Sequence, residues 1–561
     1  MPPSIGSRTN PPTGRGRITG VSDEEKEPRH PGTGARLGLG GALSGLLAGF
    51  AALAVAELVA AAVRPQAGPV VAVGGAAIDR TPIAVKDWAI RNFGTNDKLI
   101  LQLGILAVLA LFALALGVFA LRHRRTGAAG VLVFGAVGAA AATSRPDSTS
   151  VTDALPSVLG AIVGAALLYV LVGRLLAPLP DAPEAPEAPG AAPRGPGEGW
   201  DRRGFVIAAT ATAAASAGAG VLGRVLNGSS GQEAVASRKN IDLPPPDSRA
   251  PAVPRGARVR AADVSPFITP NGDFYRVDTA LVVPKVDATA WRLRIHGEGV
   301  TREKTLTFDD LLRRELIERD ITLTCVSNEV GGPYVGNARW IGVRFDDLLK
   351  ECGVRPPSAG GPADQLVARS VDGMTIGSPV EEVMDGRDAM LAVGMNGRPL
   401  PFDHGFPVRM LVPGLYGYVS ACKWIEDIEL TTFDAYDSYW VKRDWAREAP
   451  IKTQSGIDTP KPFARPKAGT VMVAGVAWAQ HRGIDKIEVR VDDGPWQGAT
   501  LAAEDSRDTW RQWSYAWQAA KGGHTLTVRA TDRTGEVQTE KRTRTVPDGA
   551  SGWHSVVVTV E

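Results

Sequence analysis

Cys325 is the side chain in this sequence best placed to do chemistry, at the centre of I-T-L-T-C-V-S-N-E-V-G-G from Ile321 to Gly332. The run 321–324 alternates apolar and polar residues, the period of a β-strand. It ends where Ser327-Asn328 and Gly331-Gly332 open a turn. A thiol at the mouth of a strand, beside backbone N–H groups, is a nucleophile or a soft metal ligand once ionised. The ordinary alternative is a buried cysteine acting as a small hydrophobe.

A second stretch runs from Met395 to Trp424, M-N-G-R-P-L-P-F-D-H-G-F-P-V-R-M-L-V-P-G-L-Y-G-Y-V-S-A-C-K-W, and gathers His404, Arg409 and Lys423. This ordered string, with Cys325 in a C-x-x-N context, resembles the sulfite oxidase family of molybdopterin enzymes. The resemblance covers roughly Pro266 to the C-terminus. It implies that Cys325 ligates molybdenum beside the two dithiolene sulfurs of a pterin, soft donors suited to a metal cycling between high oxidation states.

The same resemblance implies a set of cofactor-binding residues. Arg409 suits bidentate recognition of the pterin phosphate, with Lys423, His404 and Ser420 adding contacts. Asn328 is expected to fix the loop after the ligand, and Asp372 to accept hydrogen bonds from the pterin ring. Arg276 falls where the family has an arginine near the metal, placed to stabilise an oxyanion. The family continues there with Asn-His, whereas this chain has Val277-Asp278, which swaps a possible cation for an anion and makes the pocket less suited to sulfite. The stretch 436–445 offers Tyr439, Arg443 and Trp445 as substrate-side candidates. Cys422 is expected to serve as packing.

These residues need a scaffold, and 561 residues allow three or more domains. A net charge of +2 gives no electrostatic case for nucleic acid. The three cysteines, Cys325, Cys352 and Cys422, form no C-x-x-C pair, so no haem or iron–sulfur motif is present. The sequence predicts a multi-domain chain: an N-terminal α-helical transmembrane bundle, an α+β sulfite-oxidase-type molybdopterin domain, and a C-terminal immunoglobulin-like β-sandwich.

Residues 1–36 are Pro-, Gly- and Arg-rich and predict a disordered cytoplasmic tail. Apolar runs at 37–63, 99–121, 128–142 and 155–177 predict four transmembrane helices within 37–177. Residues 178–203 are a Pro/Ala-rich linker ending in Arg202-Arg203, which resembles a twin-arginine export signal. A fifth span follows at 204–226, then an extracytoplasmic tether at 227–262. Basic residues in the tail, in 122–125 and in 194–203 put those segments on the cytoplasmic side. The catalytic part therefore faces outward from a bacterial cytoplasmic membrane. The only histidines before residue 296 are His30 and His123, neither within a span, so the bundle has no ligands for a membrane haem.

Mixed strands and short helices assign 263–462 to the molybdopterin-binding catalytic domain. Regular alternating strands assign 463–561 to the sandwich, and the resemblance implies that it forms homodimers. The expected function is two-electron oxygen-atom transfer on sulfite or a related sulfur compound, with an electron partner such as a cytochrome. Reduction of a sulfoxide, of the methionine sulfoxide type, is the alternative enzyme reading. An anchored scaffold or adhesion module is the non-enzyme reading.

Overall fold

The computed structural model describes residues 31–82, 85, 88–89, 92–93, 97–145, 148, 150–177 and 202–561. Most of the expected tail and linker lies outside them. The N-terminal part consists of α1 (Pro31–Val63), α2 (Pro69–Arg80), α3 (Asp97–Ala120), α4 (Arg124–Thr143), α5 (Leu155–Leu176) and α6 (Arg202–Lys239). Within it five helices are long and apolar enough to cross a membrane: Ala35–Val63, Lys98–Ala120, Arg124–Thr143, Val151–Leu176 and Gly204–Leu222.

Small residues bring these helices together almost backbone to backbone. A Cβ on Gly45 would lie 1.9 Å from Ala113 O, and one on Gly160 only 2.4 Å from Ala52 O. Arg64, after α1, donates to the buried Asp153 at 2.7 Å and ties together one end of the group.

The expected tether is not loose chain. Helix α6 runs on to Lys239. Beyond it, Asp247 N and Ser248 N donate to Leu316 O at 2.9 and 3.1 Å, and Asp247 Oδ2 accepts from Leu316 N at 2.9 Å. Its Pro- and Ser-rich composition suggests flexibility, but at Asp247 and Ser248 the backbone groups are satisfied by the adjacent strand at 316–318.

The middle domain holds two five-stranded sheets around one core that includes Leu293, Ile295, Trp340, Phe345 and Phe406. The first sheet has the order β2-β1-β10-β5-β6, built from β1 (Arg292–Gly297), β2 (Lys304–Thr307), β5 (Gln365–Ser370), β6 (Thr375–Pro379) and β10 (Ile425–Thr431). The second has the order β3-β4-β7-β8, with β9 on β7. Its strands are β3 (Leu316–Thr324), β4 (Val335–Arg344), β7 (Met390–Met395), β8 (Arg398–Pro399) and β9 (Arg409–Leu411). A short helix at Phe308–Leu312 leads into β3, which begins at Leu316.

In the C-terminal domain two four-stranded antiparallel sheets share a core of Val489, Trp513, Trp517, Val528 and Val558. One sheet contains β11 (Gln454–Thr459), β12 (Gly469–Trp478), β15 (Thr500–Leu501) and β16 (Arg511–Ala519). The other contains β13 (Ile484–Val491), β14 (Gln497–Gly498), β17 (Gly522–Asp532) and β18 (His554–Val560). Strand β11 precedes the expected boundary at 463; its Q-S-G-I-D-T carries one large apolar residue and hence little periodic signal.

The alternation of β3 predicts a strand with one wet face. The structure buries both faces, with Thr322 and Thr324 only 1 % and 2 % exposed. The polar face is covered by the C-terminal domain: Trp510 N donates to Thr322 Oγ1 at 2.7 Å. A threonine hydroxyl marks either water or a buried partner, and periodicity alone does not distinguish them.

Candidate active site

Strand β3 delivers Cys325 to a tight loop. Cys325 N donates to Tyr334 O at 2.9 Å, and Asn328 N donates to Cys325 O at 3.0 Å. Asn328 Oδ1 accepts from Tyr334 N at 2.8 Å and closes the loop as expected. The thiol lines a pocket partly open to solvent, with Tyr275, Asp278, Asp372, Arg409, Lys423, Trp440 and Trp445. Burial pushes the Cys325 thiol up, against hydrogen bonds from Ser327 and the charge of Lys423. A bound cation reverses that balance in favour of the thiolate.

Arg409 stands on β9 with its guanidinium 5.1 Å over the Trp340 ring. Its Nη1 donates to His404 O at 3.2 Å, while its buried Nε has no partner. Burial lowers it to about 10, so it remains a cation at neutral pH. Gly405, at φ 105°, makes room for this arrangement: a Cβ there would lie 3.0 Å from Arg409 Cβ and 3.1 Å from Lys423 Cα.

Lys423 donates to Asp278 Oδ2 at 2.7 Å and to Asp403 O at 3.0 Å. Burial pulls Lys423 down to about 8, with Asp278 opposing the fall. Burial alone would raise Asp278, but the charges of Lys423 and Lys98 hold it well below the usual carboxylate range. Asp278 is thus a fixed anion between two lysines. Asp372 lines the same pocket from the turn after β5, its Oδ1 accepting from Met374 N at 3.3 Å.

Five expected residues sit elsewhere. His404 is buried behind Arg409 with Nε2 3.0 Å from Asn271 O, and burial lowers it to about 4, so it is neutral. It supports Arg409 through its carbonyl rather than facing the pocket. The Ser420 hydroxyl is committed to Leu415 O and Tyr416 O at 2.9 and 3.1 Å, the usual local bond of a serine in a helical turn. Tyr439 and Arg443 turn toward α2, where both donate to Asp79. Arg276 lies beside the pocket, with Nε donating to Asp278 Oδ2 at 3.2 Å and Nη1 3.5 Å from Asp403 Oδ1. Its charge is taken up by those carboxylates.

Sequence reasoning missed Tyr275, which lines the pocket and is kept neutral by burial, and Trp440, 5.9 Å from Trp445. The signal was available in F-Y-R at 274–276 and Y-W at 439–440.

This donor set fits a molybdenum–pterin group. Among the described residues no group of three or more His, Cys, Asp or Glu side chains is arranged to hold a metal. A metal at Cys325 must therefore bring most of its own donors. Two residues lining the pocket, Arg409 and Trp445, also carry buried N–H donors without partners, at Nε and Nε1. Buried donors of that kind are costly unless a ligand accepts from them.

Comparison with known proteins agrees with this geometry. Residues 280–440 match the oxidoreductase molybdopterin binding domain. Over these residues the middle domain is similar to the sulfite oxidase family of molybdopterin oxidoreductases. Mitochondrial sulfite oxidase of Rattus norvegicus is 30% identical over 291 residues, 44% of this chain and 52% of that one. Nitrate reductase [NADH] 1 of Oryza sativa subsp. japonica is 33% identical over 201 residues, 32% of this chain and 21% of that one. Among solved structures, sulfane dehydrogenase SoxCD from Paracoccus pantotrophus is 25% identical, covering 52% of this chain and 83% of that one, with a TM-score of 0.45. The chain spans about half the length of the sulfite oxidase it matches. In this molybdopterin domain Cys325, Asp372, Arg409 and Lys423 lie within the matched residues and converge on one pocket.

Proposed function

We propose that the chain is a membrane-anchored molybdenum–molybdopterin oxidoreductase that transfers an oxygen atom, with two electrons, to or from a small sulfur compound outside the cytoplasmic membrane. The observation that carries this reading is the convergence of one thiol, Cys325, with Arg409 and Lys423 on a single pocket in a molybdopterin domain. When bound, the cofactor supplies the oxygen-atom and electron chemistry.

The chain's residues do the rest. Cys325 ligates the metal as a thiolate. Arg409 and Lys423 bind anionic oxygens of the pterin, and Asp372 accepts from its N–H edge. Tyr275, neutral and buried, lines the pocket and would offer a hydroxyl donor to a bound group, and the aromatic wall of Trp440 and Trp445 excludes water. Oxidising sulfite takes one water and releases sulfate, two protons and two electrons. The electrons leave to a separate carrier, for which a cytochrome is the natural class.

Sulfoxide reduction is the second reading: two electrons and two protons enter, and the sulfide and water leave. The pinned carboxylate of Asp278 and the tryptophan-rich wall favour a neutral substrate over an anion. Sulfite-dependent reduction of cytochrome c, set against sulfoxide-dependent oxidation of a reduced dye, separates them. A response to the sulfoxide alone rejects sulfite oxidation. The five apolar helices support anchoring, and labelling of engineered cysteines in intact cells tests which side the catalytic domain occupies.

A further inference from the structure

We infer that the helical part completes the molybdopterin site: Lys98 and Asp79, from outside the matched domain, are positioning residues that hold the two lips of its pocket. The inference rests on reading that pocket as catalytic.

One lip is the stretch 277–279, where Val277, Asp278 and Thr279 line the pocket. No helix or strand includes it, so no backbone ladder fixes its shape. Lys98, at the start of α3, does so instead. Its ammonium donates to Asp278 O at 3.2 Å, to Asp278 Oδ1 and to Ala280 O at 2.7 Å. Residues 278–280 thus supply three acceptors for the three donors of a lysine. The Asp278 side chain is 3% exposed and receives Lys98 on one oxygen and Lys423 on the other. Just beyond, Leu281 packs onto α2 at Gly74, where a Cβ would lie 2.6 Å from Leu281 Cδ2.

The other lip carries Trp440 and Trp445, and it too is tied to α2. Tyr439 Oη donates to Asp79 Oδ1 at 2.6 Å, and Arg443 Nη2 donates to Asp79 O at 3.2 Å. Arg443 also stacks 3.6 Å over the Tyr439 ring, and Tyr439 packs edge-on against Trp440 at 5.1 Å. Both walls of the pocket are therefore attached to the helices as well as to the molybdopterin domain itself, where Tyr439 N donates to Thr375 O at 3.2 Å and Lys423 to Asp278 Oδ2 at 2.7 Å. Without Lys98 the carboxylate of Asp278 keeps one cation fewer, and the pocket turns more negative toward an anionic substrate.

The test uses the full chain loaded with its cofactor in nanodiscs, comparing Lys98→Gln, Lys98→Arg and Asp79→Ala with the wild type. Hydrogen–deuterium exchange is read in peptides spanning 276–282 and 436–446, with β16 and β17 as internal controls for global unfolding. Lys98→Gln is expected to speed exchange about tenfold in the first peptide, and Asp79→Ala in the second, with the controls unchanged. Lys98→Arg restores most of the protection. Molybdenum content stays at the wild-type level, and Lys98→Gln raises KM for an anionic substrate about tenfold with kcat within about threefold. Unchanged exchange in both lips overturns the inference. Raised exchange in a wild-type background that turns over neither oxyanion nor sulfoxide upholds the positioning role and rejects the catalytic reading, so the two failures are distinct.

Discussion

Gln480 donates through Nε2 to Thr324 Oγ1 and to Thr322 O, each at 3.0 Å, so the C-terminal domain grips the strand that presents Cys325. The contact is buried, with Gln480 1% exposed. Gln480→Leu strands the Thr322 carbonyl and Thr324 hydroxyl away from water. The expected cost is about 1–3 kcal/mol, with a lower melting temperature and reduced molybdenum retention after dialysis. A variant that melts and retains metal like the wild type removes the sandwich from any role in shaping the site.

Cys325→Ser removes the soft ligand and little else, because the loop is closed by backbone bonds and by Asn328. The melting temperature of the cofactor-free chain should stay within about 2 °C of the wild type, while turnover is lost. Plasma mass spectrometry for molybdenum, run beside calorimetry, measures both.

Arg409→Met tests whether the buried guanidinium exists for the ligand. Its Nε has no protein partner, so the cofactor-free chain carries the desolvation cost without full compensation. Replacement by an apolar side chain of similar length should leave that form as stable or up to about 2 kcal/mol more stable, with cofactor content falling at least tenfold. Destabilisation of the cofactor-free form would show that Arg409 is a structural residue.

His554 gives the fold a pH dependence of known sign. Its Nδ1 accepts from Ile457 N at 2.9 Å, which requires the neutral ring, and burial lowers it to about 4. The unfolded chain binds the proton near pH 6.5, so the stability from this group is complete above that pH and is lost as pH falls toward 4. The loss should reach roughly 2 kcal/mol. The ring also abuts the Cys325 loop, since a Cβ on Gly331 would lie 2.3 Å from His554 Nε2. Urea midpoints measured from pH 8 to 4 should fall less steeply in His554→Gln than in the wild type.

The sequence by itself pointed to the candidate thiol, the cofactor class and the order of secondary-structure elements. Cys325 at a strand end, the D-H-G-F-P-V-R string and the apolar runs are local patterns, and local patterns fix ligand type, turn geometry and helix length. The tertiary structure decided which polar residues face the pocket. Ser420 was spent on its own helical turn, Tyr439 and Arg443 on Asp79, and Arg276 on Asp278 and Asp403. Each choice depends on partners distant in the chain, and a donor's spacing does not say which of several acceptors will reach it first. Lys98 is the plainest case: read along the sequence it is the charged flank of an apolar helix. Only the folding of α3 against residues 278–280 gives its three donors their acceptors.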